Sequence, residues 1–452
     1  MIKRFINKLS GSNNSIKRRD IHRENHTVRV EDISPFALEV VDELRDAGYE
    51  AYIVGGCVRD AILGKKPNDF DVATNATPEQ VKRLYRRARI IGRRFQIVHV
   101  QNRQEIIEVT TFRGHHEGEK KGQQKRRRGE PAARKTGSGM LTRDNIFGSM
   151  EEDAVRRDFS CNALYFDTDT ETIVDFVGGF EDLTNGLLRT IGDPKKRFQE
   201  DPVRMMRALR FQAKLGLKLD KESQAQLLNN SSLILEVSAA RLFDEVIKLL
   251  LHAESATAFQ LFAESGLFAL LFPESADQAK QNKQLDRLVH VAMRNTEERL
   301  GKGKGVSPFY LYATLLWPAI VPRFQQYLAK NESPPRAMEL ASSSVFADQS
   351  SRVSIPKRFS LAIRDTWYLQ TQLDRRQGNR ADKLMEHSKF RAGYDFVVMR
   401  EESGEDLNGL GEWWTKYQSA NSESRETMRN QLGIAGTQKR RRRRRRKSKS
   451  PD

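Results

Sequence analysis

The chain has 452 residues, of which 38% are hydrophobic and 31% charged, with a formal net charge of +18 and only two cysteines. That length accommodates roughly two to four domains of ~100–200 residues each. Cys57 and Cys161 supply no disulfide framework, and no run of about 18 apolar residues offers a transmembrane helix, so a cytoplasmic protein of the reducing compartment is expected.

The positive charge is concentrated. Residues 1–30 carry eight Lys/Arg against two acids, 119–135 eight against two and 439–452 ten against one, which leaves the rest near −3. Basic appendages attract polyanions, nucleic acid first among them; a solubilising tail or weak membrane-surface attachment is the alternative. The start, MIKRFINKLS, is basic and faintly amphipathic but lacks a secretory apolar stretch.

In chain order, FALEVVDELRDAGY (36–49) has apolar residues at helical spacing between a Ser34–Pro35 start and a glycine stop. EAYIVGG reads as a buried strand entering a turn, VRDAILG as a helix and NDFDVAT as a strand. A helix over 78–88 and the strands QIVHVQ and EIIEVTTF follow, and this alternation predicts an α/β head. Residues 116–139 lack apolar periodicity and are rich in Lys, Arg and Gly, hence a mobile basic loop. Order resumes at DNIFGSMEEDAVRRDFSCNALYF, then strand-like TIVDFVGG with GGFEDL as a turn. Beyond about residue 194 the pattern is helical, again over 306–330 and 355–400. Residues 401–452, ending in KRRRRRRRKSKSPD, are expected to be disordered. The resulting division is a basic extension (1–33), a head (34–180), a helical neck (181–255), a helical body and C-terminal domain (256–400) and an Arg-rich tail (401–452).

Asp69 and Asp71 lie two apart in a strand and therefore share a face, with Phe70 turned to the core. Adjacent carboxylates repel unless a cation lies between them, and hard oxygen ligands beside phosphates favour Mg²⁺. By itself the pair also fits a solvated strand end. Gly55 and Gly56, between strand and helix, let a ligand approach the backbone, and the helix N-terminus offers N–H groups to phosphate. Arg59 adds a fixed charge in the first turn. The spacing matches neither a P-loop nor a dinucleotide fingerprint.

GGCVRD, eight residues, then DFD resembles the first signature of the DNA polymerase β-like nucleotidyltransferases, in the bacterial branch of tRNA CCA-adding enzymes and poly(A) polymerases. RRDFSCNAL (156–164), DFVGGFEDL (175–183) and EDPVRMMRALRF (200–211) follow in the branch's order. The resemblance implies a polymerase β-like mixed-sheet α/β head followed by an all-α neck, body and tail. It also implies catalytic metals, Mg²⁺ with Mn²⁺ as substitute, on Asp69 and Asp71, and triphosphate held at Gly55, Gly56 and Arg59. Arg157, Asp158 and Asn162 would lie near the ribose, with Asp158 as third acid; Glu108, on the strand EIIEVTTF, is its rival. Ser160 and Cys161 depart from the branch's usual Thr-Ile/Val, and Cys161 reads as a buried small residue.

Asp201 suits a helix N-cap and Pro202 a first helical residue, and Arg204 and Arg207, three apart, share a face. An ordinary capped amphipathic helix would look the same. The resemblance assigns Asp201 and Arg204, with Arg207, to the incoming base, where a carboxylate accepts from an exocyclic amine and a guanidinium donates to ring nitrogen or carbonyl. IIGRRFQIVHV (90–100) and RRQGNRADKLMEHSKFRAGYDFVVMR (375–400) resemble the poly(A)-adding members, and no His-Asp dipeptide marks an attached phosphohydrolase. The expectation is AMP addition from ATP to RNA 3′ ends, marking transcripts for decay. CCA addition to tRNA and an inactive RNA-binding relative are the alternatives. Trp367, Tyr368, Phe390 and Tyr394 read either as base-stacking platforms or, at helical spacing, as core.

Overall fold

The computed structural model describes residues 17–67, 69–92, 96–114, 134–135, 141–143 and 147–432. The Arg-rich end, most of the 116–139 stretch, Asn68 and residues 93–95 lie outside that set. The chain divides into two compact units, residues 1–233 and 234–452.

The first unit is built on a mixed sheet. β1 (Arg19–Ile21) precedes α1 (Pro35–Asp46), which Ser34 caps by accepting the Ala37 N–H. β2 (Ala51–Val54) turns into α2 (Gly56–Ile62), and β3 (Asp71–Thr74) leads to α3 (Pro78–Leu84), whose start is a reciprocal Thr77–Gln80 cap. β4 (Ala88–Ile91), β5 (Ile97–Gln101) and β6 (Ile106–Thr111) follow. β7 (Arg134–Lys135) and β8 (Leu141–Arg143) pair with each other. Then come α4 (Met150–Arg156), β9 (Leu164–Asp167), β10 (Thr172–Asp175), α5 (Gly179–Thr184), α6 (Pro194–Glu200) and α7 (Val203–Leu215). Sheet order is β1-β10-β9-β2-β3-β6-β5-β4, antiparallel throughout except for the parallel β3–β6 pair. Val54, Ala73, Ala154, Tyr165 and Val174 form a buried cluster that ties α4 to the sheet.

Four local expectations shift. The helix over 78–88 ends at Leu84 because Ala88 begins edge strand β4. GGFEDL is a helix and not a turn: the Asp175 carboxylate accepts the N–H groups of Val177, Gly178 and Phe180 and so builds its start. Helix α7 begins at Val203, after Pro202, and the Asp201 carbonyl receives the Arg204 N–H. Residues 19–21, inside the expected extension, pair with β10 as an edge strand.

The second unit is helical. Residues 401–432, expected as disordered tail, are ordered here. The helix Leu410–Ser419 buries Trp414 and Tyr417 against Leu369, Phe390 and Tyr394, and Trp414 donates its indole N–H to the Leu373 carbonyl. These two aromatics supply the burial that composition averaged over a basic tail conceals. Trp367, Phe390 and Tyr394 are core residues, whereas Tyr368 is exposed. Among the described residues, no helix is long and apolar enough to cross a membrane.

Candidate active site

The site begins in the register of the sheet. Asp71 opens β3 opposite Val54 of β2 on one side and Glu108 of β6 on the other; Glu108 in turn faces His99 of β5. His99 Nε2 lies 3.2 Å from Glu108 Oε1. Because in-register residues share a face, the parallel β3–β6 contact places two carboxylates side by side. The strand expected over NDFDVAT begins only at Asp71, so Asp69 precedes it and is exposed, and strand alternation is not what sets the two aspartates together; Phe70 is buried as expected. Burial, then the charge of Glu108 and more weakly that of Asp69, push Asp71 up to about 6, opposed by Arg157. The two aspartates and Glu108 thus form one mutually repelling group.

The double glycine closes the other side. Gly55 has φ +81°, and a Cβ there would stand 3.3 Å from Arg157 Nη1 and 3.8 Å from Asp71 Oδ2. The bend therefore needs glycine twice over, for its backbone conformation and for the approach of those side chains. Gly56 begins α2, a helix of only seven residues. Arg59 is buried: it donates to Asp60 Oδ1 at 2.8 Å and to Asn162 Oδ1 at 2.6 Å, and covers the Phe211 ring. In this structure its charge orders the turn.

Asn162 is the hub of the next layer. Its side-chain oxygen accepts from Arg59 and its amide donates to Asp158 Oδ1 at 3.3 Å, while its carbonyl accepts from Arg157 Nη1 at 3.1 Å. Arg157 is held from beneath by Asp153 Oδ2, at 3.1 and 3.2 Å, and by the Tyr165 hydroxyl; Tyr165 itself donates to Asp153 at 2.6 Å. Burial pulls the Arg157 guanidinium down, but Tyr165 and Asp153 outweigh it and the net shift is upward.

Asp158 is committed elsewhere. Arg207 Nε and Nη2 lie 2.6 and 2.5 Å from its Oδ2. Burial alone would raise Asp158, yet Arg207, Arg204 and the Asn162 hydrogen bond carry it down to about 2. Arg204 donates to the Arg197 carbonyl at 2.8 Å and pairs with Glu200 at 3.3 Å. Arg197 in turn donates to the carbonyls of Arg156 and Arg157, both at 2.6 Å. Burial first, and then neighbouring guanidiniums, bring Arg156 and Arg197 down to about 10. Behind the acids there is consequently a set of arginines crowded closely enough to repel one another.

The structure brings together Asp69, Asp71, Glu108, Gly55, Arg157 and Asn162 through direct contact or mutual charge. Asp158, Arg207 and Arg204 form an adjoining group joined to it by Asn162, with Asp201 at the start of α7. Asp153, Tyr165, Arg156 and Arg197 were not singled out from sequence; of these only the Asp153–Arg157 spacing of four carried a signal, a helical ion pair. Cys57 and Cys161 are buried thiols pushed up to about 11 and about 12, first by burial. Among the described residues no three His, Cys, Asp or Glu side chains close into a full ligand set. The donors fit a hard cation all the same, since Mg²⁺ is commonly held by one or two carboxylates completed by substrate phosphates and water.

Repelling acids at a strand end, with repelling cations behind them, are complementary to a polyanion carrying hard metal ions. On a mixed sheet of this order, that arrangement defines a nucleotidyltransferase head. A family model for the poly A polymerase head domain matches residues 51–189, one for the probable RNA and SrmB-binding site of polymerase A matches 216–278, and one for the polymerase A arginine-rich C-terminus matches 330–448. Poly(A) polymerase I of Escherichia coli O157:H7 is 43% identical over 91% of this chain and 88% of its own length. That of Haemophilus influenzae is 42% identical over 88% and 87%. The chain belongs to the poly(A) polymerase family. A CCA-adding enzyme of Lactobacillus helveticus is 37% identical over 53% of the chain and 55% of its own length. The solved Thermotoga maritima CCA-adding enzyme complexed with tRNA shares the fold, with TM-score 0.56 at 18% identity, covering 87% of this chain and 86% of that one.

Proposed function

We propose that this protein is a template-independent polymerase that adds AMP from ATP to the 3′ ends of RNA in the cytoplasm. The observation that carries this reading is the Asp71–Glu108 register, which keeps the acid group intact in a chain similar to poly(A) polymerases over nine-tenths of its length. In this reading the RNA 3′-hydroxyl attacks the α-phosphate of ATP and pyrophosphate leaves. Asp69 and Asp71 would hold the metal, with Glu108 as the flanking carboxylate. Mg²⁺, or Mn²⁺ in its place, would when held there supply acidification of the attacking hydroxyl and charge compensation for the leaving pyrophosphate.

The chain's own residues position the reactants. Gly55 and Gly56 admit the triphosphate to the backbone, with Arg59 fixing that turn. Arg157, held by Asp153 and Tyr165, presents a charge that needs no reorganisation. Asn162 and Asp158 border the ribose, and Asp158 holds Arg207 on the face of α7 where Arg204 and Asp201 meet the base. The basic termini bind phosphates without reading sequence, as suits a substrate of many different 3′ ends, and the tails added mark transcripts for decay.

Primer extension with Mg²⁺, an unstructured RNA and each nucleoside triphosphate alone tests the reading. Long ladders with ATP only, abolished by Asp69→Asn, are expected. Addition of two C residues from CTP alone to a tRNA lacking its CCA end, completed by a single A once ATP is also present, would overturn it in favour of the tRNA enzyme.

A further inference from the structure

A groove of about 700 Å³ lies in the second unit, walled by the helices Ser255–Glu264 and Lys283–Gly301. The second of these helices falls between segments 216–278 and 330–448, and none of the roles assigned above uses it. Lys283, Arg287 and Arg294 line the groove against a single carboxylate, Asp286. All three cations are exposed, and among the described residues none of them is ion-paired. They stand at i, i+4 and i+11 on one helix and so extend along about 16 Å of it. A nucleic-acid strand places several phosphates within that distance.

The remaining wall is arranged for the same ligand. His290 Nδ1 lies 3.0 Å from the Asp286 carbonyl and 3.7 Å from its carboxylate, so Asp286 faces the imidazole. The His290 ring packs edge-on against Phe259 at 5.2 Å and keeps about half its surface exposed, 49%. Imidazole is among the rings on which splayed RNA bases stack. Thr257, exposed on the opposite wall, adds a neutral hydroxyl of the kind that contacts phosphate or sugar. An apolar or acidic ligand would leave three cations or the exposed ring unmatched; a single RNA strand matches both.

We infer that this groove binds the RNA substrate's sugar–phosphate backbone at nucleotides other than the reacting 3′ end, with Lys283, Arg287 and Arg294 on phosphates and His290 against a base. The inference rests on the reading of the protein as an RNA polymerase. The hold is spread along the body of the RNA and is independent of sequence.

The test uses the full chain and the triple variant K283A/R287A/R294A. Anisotropy with a labelled unstructured RNA, without ATP, is measured across a salt series; primer extension compares a long RNA with a trinucleotide primer. The variant should bind long RNA roughly tenfold more weakly at low salt, alike for different sequences. The slope of log affinity against log salt should be shallower by about 2, as for three lost single-strand phosphate contacts at about 0.7 each. Turnover on the trinucleotide should match wild type, and K302A/K304A/K330A, exposed lysines outside the groove, should bind normally. Unchanged affinity and slope would overturn the inference. So would equal losses on long and trinucleotide primers, equal losses in the two triple variants, or ATP displacing RNA from wild type but not from K283A/R287A/R294A. If wild type incorporates no ATP on either primer, the polymerase reading fails instead, and the anisotropy series still reads the groove.

Discussion

Asp71→Asn separates what this carboxylate does for the chemistry from what its charge costs the fold. Burial, Glu108 and Asp69 push Asp71 from the ordinary 3.8 up to about 6. A carboxyl that binds its proton better folded than unfolded opposes folding when ionised. That opposition is complete above about pH 6, fades as pH falls toward 4 and is gone below the unfolded value. The rise corresponds to at most about 3 kcal/mol, and partial solvent access at the site reduces this to roughly 1–2 kcal/mol. Asparagine keeps the shape and removes the charge. The metal-free variant at pH 8 should therefore melt higher than wild type, by roughly 2–8 °C for a unit of this size. At pH 4 the difference should vanish. Mg²⁺ should raise the Tm of wild type but not of the variant, because only the former gains a bound cation. Extension activity should fall by about three orders of magnitude or more. Melts in chelator at both pH values, beside primer extension, measure all of this. An equal or lower Tm at pH 8 would refute the repulsion argument; a gain of the same size at pH 4 would assign it to packing and not to charge.

Glu108→Gln should lower the Asp71 pKa from about 6 toward the usual carboxylate range, since Glu108 is the strongest charge raising it; carboxyl NMR titration of the metal-free protein reads this directly, and an unmoved Asp71 would disprove the pairing. Arg207→Ala strands the buried Asp158 without its two-pronged partner and should cost roughly 2–4 kcal/mol at neutral pH by urea denaturation. Because Asp158 is depressed to about 2, the stability it contributes is present above about 4 and lost as pH falls through 2, so the penalty should shrink over the same window. Gly55→Ala places a Cβ 3.3 Å from Arg157 Nη1 at φ +81°; it should cost about 1–2 kcal/mol and raise KM for ATP more than it lowers stability-corrected kcat.

Much of the head was legible because its signals are local. The Ser34–Pro35 start, the apolar strand before Gly55 and the strands QIVHVQ and EIIEVTTF each rest on signals within a few residues. GGFEDL escaped because its helix is started by Asp175, a carboxylate outside the segment that reads as a turn. The order at 410–419 escaped because a basic composition averaged over fifty residues hides two tryptophans, Trp413 and Trp414, one of which is fully buried.

The third acid shows where local reading stops. RRDFSCNAL puts Asp158 close in sequence to Arg157 and Asn162, and proximity in a motif suggests proximity to the metal. The fold uses that proximity differently: α7 brings Arg207 onto Asp158 and satisfies its charge. Glu108 lies 37 positions from Asp71 and reaches it only because β6 returns parallel to β3, which needs both the crossover through α3, β4 and β5 and a register that no single segment contains. What distinguishes the two acids is therefore the state of their charge and not their place in a motif. Asp158 is an ion-paired carboxylate held well below its ordinary range. Asp71, beside Glu108, is held above it, and a cation is the partner that would relieve it.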